Sequence, residues 1–188
     1  MEIIKTNIED VLIIEPNIFG DSRGYFFESF SDKEFKEKVC DTTFVQDNES
    51  YSTKGVIRGL HYQIGEHAQA KLVRVVKGKV IDVAVDIRRG SPTFGQHVAV
   101  ELSENNHRQL FIPRGFAHGF SVLSDDAIFQ YKCDNLYCKD SERGIVWNDS
   151  LLAIDWKLGD DITPIISEKD FCHPRLCDAV DLFEFNPK

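Results

Sequence analysis

Nothing in this sequence approaches the roughly 20 consecutive apolar residues of a membrane-spanning helix. The apolar run Val11-Leu12-Ile13-Ile14 stops at Glu15-Pro16 and reads as a strand. Residues 1–10 lack the basic start and apolar stretch of a secretory leader, so a cytoplasmic location is expected. Basic residues are scarce: 22 Lys and Arg against 31 Asp and Glu leave a net charge of −9. Nucleic acid and anionic membrane surfaces are polyanions, so neither is expected as a partner; a small anionic ligand needs only a local basic pocket. Neither a dinucleotide fingerprint nor a phosphate loop is present. Cysteine is limited to Cys40, Cys133, Cys138, Cys172 and Cys177, an odd number without secretory context, which predicts reduced thiols. Two pairs share a C-x4-C spacing and His173 adjoins one of them. That spacing only just meets the ligand window of a structural zinc, and buried inert thiols are the expectation.

What is present is an ordinary globular composition with many strands. Of 188 residues, 42% are hydrophobic and 28% charged, which predicts one domain over 1–188 with a C-terminal tail. Residues 71–76 lead through Lys77-Gly78 into residues 79–87, and this pattern predicts a β-hairpin. In the second run Ile81, Val83, Val85 and Ile87 share one face, with Asp82, Ala84 and Asp86 on the other. Further strands are expected at 96–102, 109–112, 119–123 and 127–133, separated by turn clusters, which predicts an all-β sandwich or barrel. Ser31-Asp32-Lys33-Glu34 forms a capping box that opens one helix, with Phe35 and Val39 on a common face. A weaker helix start is Ser167-Glu168-Lys169-Asp170.

Two segments carry chemistry: Gly59-Leu60-His61-Tyr62-Gln63 and Pro113-Arg114-Gly115-Phe116-Ala117-His118-Gly119. The second resembles the P-x-G-x-x-H element of cupins, double-stranded β-helix (jelly-roll) barrels. Metal-binding cupins place H-x-H in the first element and an acid downstream; here Gln63, Gln69 and Lys71 stand instead. An amide and an ammonium are poor ligands, so a metal-free cupin is expected and a metal-dependent oxygenase is disfavoured.

The match then becomes closer. The segments Phe19-Gly20-Asp21-Ser22-Arg23-Gly24-Tyr25-Phe26-Phe27-Glu28-Ser29, Phe44-Val45-Gln46-Asp47-Asn48 and Arg58-Gly59-Leu60-His61-Tyr62-Gln63 appear in order. They are followed by Lys71-Leu72-Val73-Arg74-Val75, Asp82-Val83-Ala84-Val85-Asp86, Tyr131-Lys132, Glu142-Arg143-Gly144 and Ser167-Glu168-Lys169-Asp170. Together they resemble the dTDP-4-dehydrorhamnose 3,5-epimerase family over most of the chain. That resemblance implies a cupin jelly roll with a short helix in the N-terminal half and short C-terminal helices. It also implies a homodimer in which the N-terminal strand completes the partner's sheet. The implied substrate is a dTDP-linked 4-keto-6-deoxy sugar, inverted at C3 and C5 with neither cofactor nor metal. C3-only epimerisation, a related ketoisomerisation and non-catalytic nucleotide-sugar binding are the alternatives.

By the same resemblance His61 is the base, Asp170 its orienting partner, Tyr131 the acid on the other face and Lys71 the enolate stabiliser. His118 and Asp82 shape the pocket, His118 also touching substrate. Arg23, Arg58 and Lys169 suit a diphosphate. Glu28, Gln46, Asn48 and Glu142 supply polar recognition, and Tyr25 and Tyr137 offer aromatic faces. Taken singly, each of these residues has an ordinary structural explanation; their joint occurrence carries the assignment. Strict alternation would put Arg58 and His61 on opposite faces, which a bulge would reconcile. The chain departs from the family pattern at His97, Phe111 and Lys139.

Overall fold

In chain order the strands are β1 (Glu2–Lys5), β2 (Leu12–Glu15), β3 (Phe19–Asp21), β4 (Gly24–Phe26), β5 (Gln46–Thr53), β6 (Ile57–Gln63), β7 (Lys71–Lys77) and β8 (Lys79–Asp86). They continue as β9 (Arg88–Arg89), β10 (His97–Ser103), β11 (Gln109–Ile112), β12 (Phe116–Val122), β13 (Asp126–Cys133), β14 (Glu142–Gly144) and β15 (Phe183–Glu184). Among the described residues the α-helices are α1 (Asp32–Lys38) and α2 (Glu168–Phe171). This computed structural model describes residues 1–186. A six-stranded antiparallel sheet, β1-β2-β11-β7-β13-β5, faces a five-stranded one, β10-β8-β12-β6-β14. This is the cupin jelly roll.

The expected hairpin across Gly78 does not form. β7 pairs with β11 and β13, whereas β8 pairs with β10 and β12. The Gly78 turn, at φ +81°, therefore carries the chain from one sheet to the other. A turn glycine between two β-rich runs fits a hairpin and a sheet crossing equally well, and tertiary packing decides.

Val73, Val75, Ala84, Leu110, Phe120 and Phe129 pack between the sheets. The outer face of the five-stranded sheet is equally apolar, and a second cluster joins Val83, Val85 and Ala117 to Trp156 and Leu176 of the C-terminal segment. The apolar face of β8 thus points outward under the tail, and the face bearing Asp82 and Ala84 points into the barrel. Polar contacts hold the tail in place: Ser121 Oγ donates to Trp156 O at 2.6 Å, and the Leu176 N–H donates to Asp149 Oδ2 at 2.8 Å.

The α1 cap is half of the expected box. Ser31 Oγ accepts from the Glu34 N–H at 3.4 Å, but the Glu34 carboxylate turns to the Met1 amine and Lys38. Phe35 is buried against Phe44 and Phe111, so Phe111 fills an aromatic position in the packing beneath α1. All five cysteines are free thiols, but the expectation of burial holds only for Cys133: Cys40 and Cys138 are half-buried, and Cys172 and Cys177 are exposed.

Strand β6 departs from regular pairing. Its register against β12 shifts between His118 and Phe120, and Gly59 sits at φ +123°. The irregularity brings Arg58 and His61 to one cavity despite their spacing. It also presses two backbones together: a Cβ on Gly59 would lie 2.5 Å from the Gly119 Cα and 2.7 Å from the His118 carbonyl oxygen. Since neither neighbour is a movable side-chain end, Gly59→Ala is expected to cost about 2–4 kcal/mol. A fall in the urea midpoint with unchanged slope measures this; an unaltered midpoint would contradict the close approach.

Candidate active site

Each sheet contributes one wall of an elongated cavity between the layers. One lobe, of about 430 Å³, is bordered by Gln46, Asn48, Tyr137 and Glu142; the other, of about 620 Å³, by Arg58, His118 and Phe120. His61, Lys71 and Tyr131 line both lobes. His61 comes from β6 of the five-stranded sheet, and Lys71 and Tyr131 come from β7 and β13 of the six-stranded one. The histidine and the tyrosine therefore face one another across the cavity. Lys71 and Tyr131 are drawn inward by alternation with Val73, Val75 and Phe129, and Lys71 Nζ lies 5.9 Å from the centre of the Tyr131 ring.

The tail delivers the partner of His61. Ser167 caps α2 by accepting from the Asp170 N–H at 3.1 Å, which fixes the first turn, and Asp170 is 3% exposed. His61 Nε2 lies 2.6 Å from Asp170 Oδ1, while Oδ2 accepts the Gly59 N–H at 3.2 Å. Burial alone would raise the Asp170 pKa, but contacts with His173 and His61 and the Gly59 hydrogen bond outweigh it. The carboxyl is held well below the ordinary range. With Nε2 against the carboxylate, Nδ1 is the nitrogen left to accept a proton.

A second pair lies deeper. His118 Nε2 contacts Asp82 Oδ2 at 2.9 Å, with Asp82 fully buried. Burial pulls the His118 pKa down, and Asp82 opposes it only in part, so the ring is held toward its neutral form. Burial also lowers the Lys71 pKa against the opposing influence of Cys133, Asp82 and Glu142. It raises that of Tyr131, which keeps the phenol protonated. The inward face of β8 also holds a carboxylate without chemical exposure: Asp86 accepts from Arg88, Ser91 and Thr93 and anchors the β8–β10 connection.

Around the mouth, Tyr137 Oη donates to Glu142 Oε2 at 2.8 Å, and Lys169 pairs with the same carboxylate. Burial raises the Glu142 pKa, but these two partners reverse it and keep the group ionised. Gln46 donates to Asn48 Oδ1 at 2.9 Å and accepts the Tyr137 N–H at 3.0 Å, tying β5 to the loop before β14. Gln63, at the position of a metal-ligating histidine in other cupins, instead accepts the Cys138 N–H at 2.7 Å and braces that loop. Arg58 donates to Ser52 Oγ at 2.9 Å and keeps an exposed guanidinium edge beside the cavity.

Three expected residues are not brought here. Arg23 and Tyr25 lie on the projecting β3–β4 hairpin, where Arg23 pairs only with Asp21 among the described residues and Tyr25 is 62% exposed. Glu28 follows that hairpin and lies beside Met1 and Phe35, away from the cavity. Within one chain these three residues stand apart from the cavity, because the short hairpin reaches outward from the barrel. Sequence reasoning missed a further residue. His173 lies with Nε2 3.7 Å from Asp170 Oδ1 and its ring edge-on to His61 at 5.8 Å; in the sequence it is marked only as a neighbour of Cys172 and Cys177.

Residues 5–178 match the family model described as dTDP-4-dehydrorhamnose 3,5-epimerase. A dTDP-4-dehydrorhamnose 3,5-epimerase of Shigella flexneri is 57% identical over 180 residues, covering 95% of this chain and 98% of the relative. Among solved structures, dTDP-6-deoxy-D-glucose-3,5-epimerase from Legionella pneumophila, in complex with dTDP-4-keto-L-rhamnose, superposes with a TM-score of 0.95. It shares 51% identity, with 99% of both chains covered. A 3'-monoepimerase from Streptomyces bikiniensis, in complex with dTDP-quinovose, has a TM-score of 0.86 at 33% identity, covering 92% of this chain and 87% of the other.

The lowered Asp170 pKa has a stability consequence. A carboxylate whose folded pKa lies below its unfolded value of about 3.9 stabilises the fold above that pH and loses the contribution as pH falls. Asp170→Asn is therefore expected to be less stable by about 2 kcal/mol at pH 7, with the gap narrowing below about pH 4. Urea titrations at pH 7 and pH 3.5 check this; a constant gap would contradict it.

Proposed function

The chain belongs to the dTDP-4-dehydrorhamnose 3,5-epimerase family, and on that basis we propose how its cavity performs the reaction. The enzyme converts dTDP-4-dehydro-6-deoxy-D-glucose to dTDP-4-dehydro-L-rhamnose in dTDP-L-rhamnose biosynthesis, inverting C3 and C5. Both carbons flank the C4 ketone, so each inversion takes a proton α to a carbonyl and returns one to the opposite face. The observation that carries the assignment is the placement of His61 and Tyr131 on opposing sheets of one cavity that Lys71 also lines.

His61 Nδ1 takes the proton, and the C–H electron pair moves into the enolate. Asp170 holds the ring and offsets the charge of the imidazolium that forms. The Lys71 ammonium stabilises the negative O4 in a site where water screens little. The Tyr131 hydroxyl, kept protonated by burial, then delivers a proton from the other side. Proton return between His61, Tyr131 and water resets the site for the second centre. Lys71 supplies the positive charge at the ketone, so the chemistry routes through this chain's own residues. His118 and Asp82 shape the floor, and Arg58 and Lys169 bind the diphosphate.

Arg23, Tyr25 and Glu28 complete the nucleotide site from a second copy of the chain. Support comes from the hairpin itself: Phe19, Tyr25 and Phe26 are each more than 60% exposed, an aromatic patch that suits burial against a partner. Among the described residues β1 pairs only with β2 and leaves an open sheet edge, which suits the same homodimer.

NMR of the product should show both centres inverted; inversion at C3 alone would contradict the double reaction. Lys71→Met should lower kcat about 10²–10³-fold. Because burial depresses the Lys71 pKa, the ammonium is lost at a lower pH than for an ordinary lysine, and activity should fall on the alkaline side below pH ~10.4. Equal alkaline limbs in wild type and Lys71→Arg would contradict this origin. Mixed dimers of His61→Asn and Arg23→Ala chains should regain about a quarter of wild-type activity, since half the dimers hold one intact site. No recovery on mixing would place Arg23 in its own chain's site.

A further inference from the structure

His173 occupies a prepared slot that the epimerisation does not use. Its side chain is 13% exposed, and Nε2 is buried without a hydrogen bond, meeting Asp170 Oδ1 only at 3.7 Å. A buried polar nitrogen held beyond hydrogen-bond distance of its partner costs free energy unless something bridges the gap. The slot exists because residue 144 has no side chain: a Cβ there would lie 2.4 Å from His173 Nε2. Gly144 is also the register partner of His61, so the slot opens directly beside the base.

We infer that His61, Asp170 and His173 form an inhibitory site for a zinc-class divalent cation. The ligand atoms of all three lie within 4.8 Å of one another. Tetrahedral zinc, with bonds of about 2.0–2.2 Å, separates its ligands by about 3.3 Å. The carboxylate–His173 distance of 3.7 Å must close slightly, and the His61–Asp170 distance of 2.6 Å must open. Two imidazoles and one carboxylate favour zinc, copper or nickel over magnesium or calcium, and the fourth position remains for water.

The inhibitory consequence rests on His61 being the base. Neutral His61 carries one proton, on Nε2 against Asp170, and a lone pair on Nδ1. A cation at Nε2 takes that nitrogen's electron pair, and the displaced proton moves to Nδ1. No proton is gained or lost by the ring, but Nδ1 no longer has a lone pair for substrate.

The test titrates zinc chloride into metal-free enzyme against a chromophoric chelator and follows turnover in parallel. The expected result is one zinc per chain, activity falling in step with occupancy, and recovery on adding EDTA. His173→Phe, which fills the slot with an apolar ring, and His173→Gln, a second replacement, should each weaken zinc binding at least tenfold. The exposed thiols are the competing ligands. A Cys172→Ser, Cys177→Ser double variant should therefore bind zinc as wild type does. Unweakened binding in both His173 variants, or loss of binding in the cysteine variant, would overturn the site. Zinc bound through His173 with turnover unaffected would overturn the inhibitory role, whereas the assignment of His61 as base is tested separately, by loss of turnover in His61→Asn without zinc.

Discussion

The contact between His61 and Asp170 joins residues 109 positions apart, and the arrangement of the tail is organised around it. Both oxygens of one carboxylate are used: one faces the histidine and the other holds the Gly59 N–H at the irregular point of β6. That single group therefore orients the ring and fixes the strand that carries it. The tail reaches this point because the outer face of the five-stranded sheet is apolar and must be covered. Burial of Trp156 and Leu176 lays the segment down, and the Ser167 cap then aims Asp170.

Alternation along the strands was readable from the residues, and so was the all-β architecture. The two faces of β8 were separated correctly, but the direction each points is a tertiary property. The more apolar face lies outward beneath the tail, because the inward face must hold Asp82 against His118. The Gly78 turn was misread for a related reason: local turn chemistry does not say which sheet the next strand joins. The β6 shift, which allows Arg58 and His61 to share a cavity, depends on the approach of Gly59 to Gly119 from a distant strand.

His61, Lys71, Tyr131 and Asp170 were legible through their motifs and do converge. Arg23, Tyr25 and Glu28 share the motif evidence but not the cavity, since one chain's sequence does not distinguish its own site from a neighbour's. His173 was visible only as a companion of two cysteines, and its relation to Asp170 required the fold. The overall charge of −9 likewise conceals local order. Lys71 and Arg58 line the cavity and Lys169 pairs with Glu142 at its border, where a dianionic nucleotide sugar would be received, while much of the acidic surplus lies on the surface.

His61 is assigned to remove the protons flanking a ketone, with Lys71 stabilising the enolate and Tyr131 returning a proton to the opposite face. Deuterium incorporation from heavy water, followed by NMR, measures that step directly in wild type and in His61→Asn. The account predicts label at C3 and C5 with wild type and none with the variant, alongside nearly unchanged dTDP affinity. Label appearing at wild-type rate in His61→Asn would contradict it.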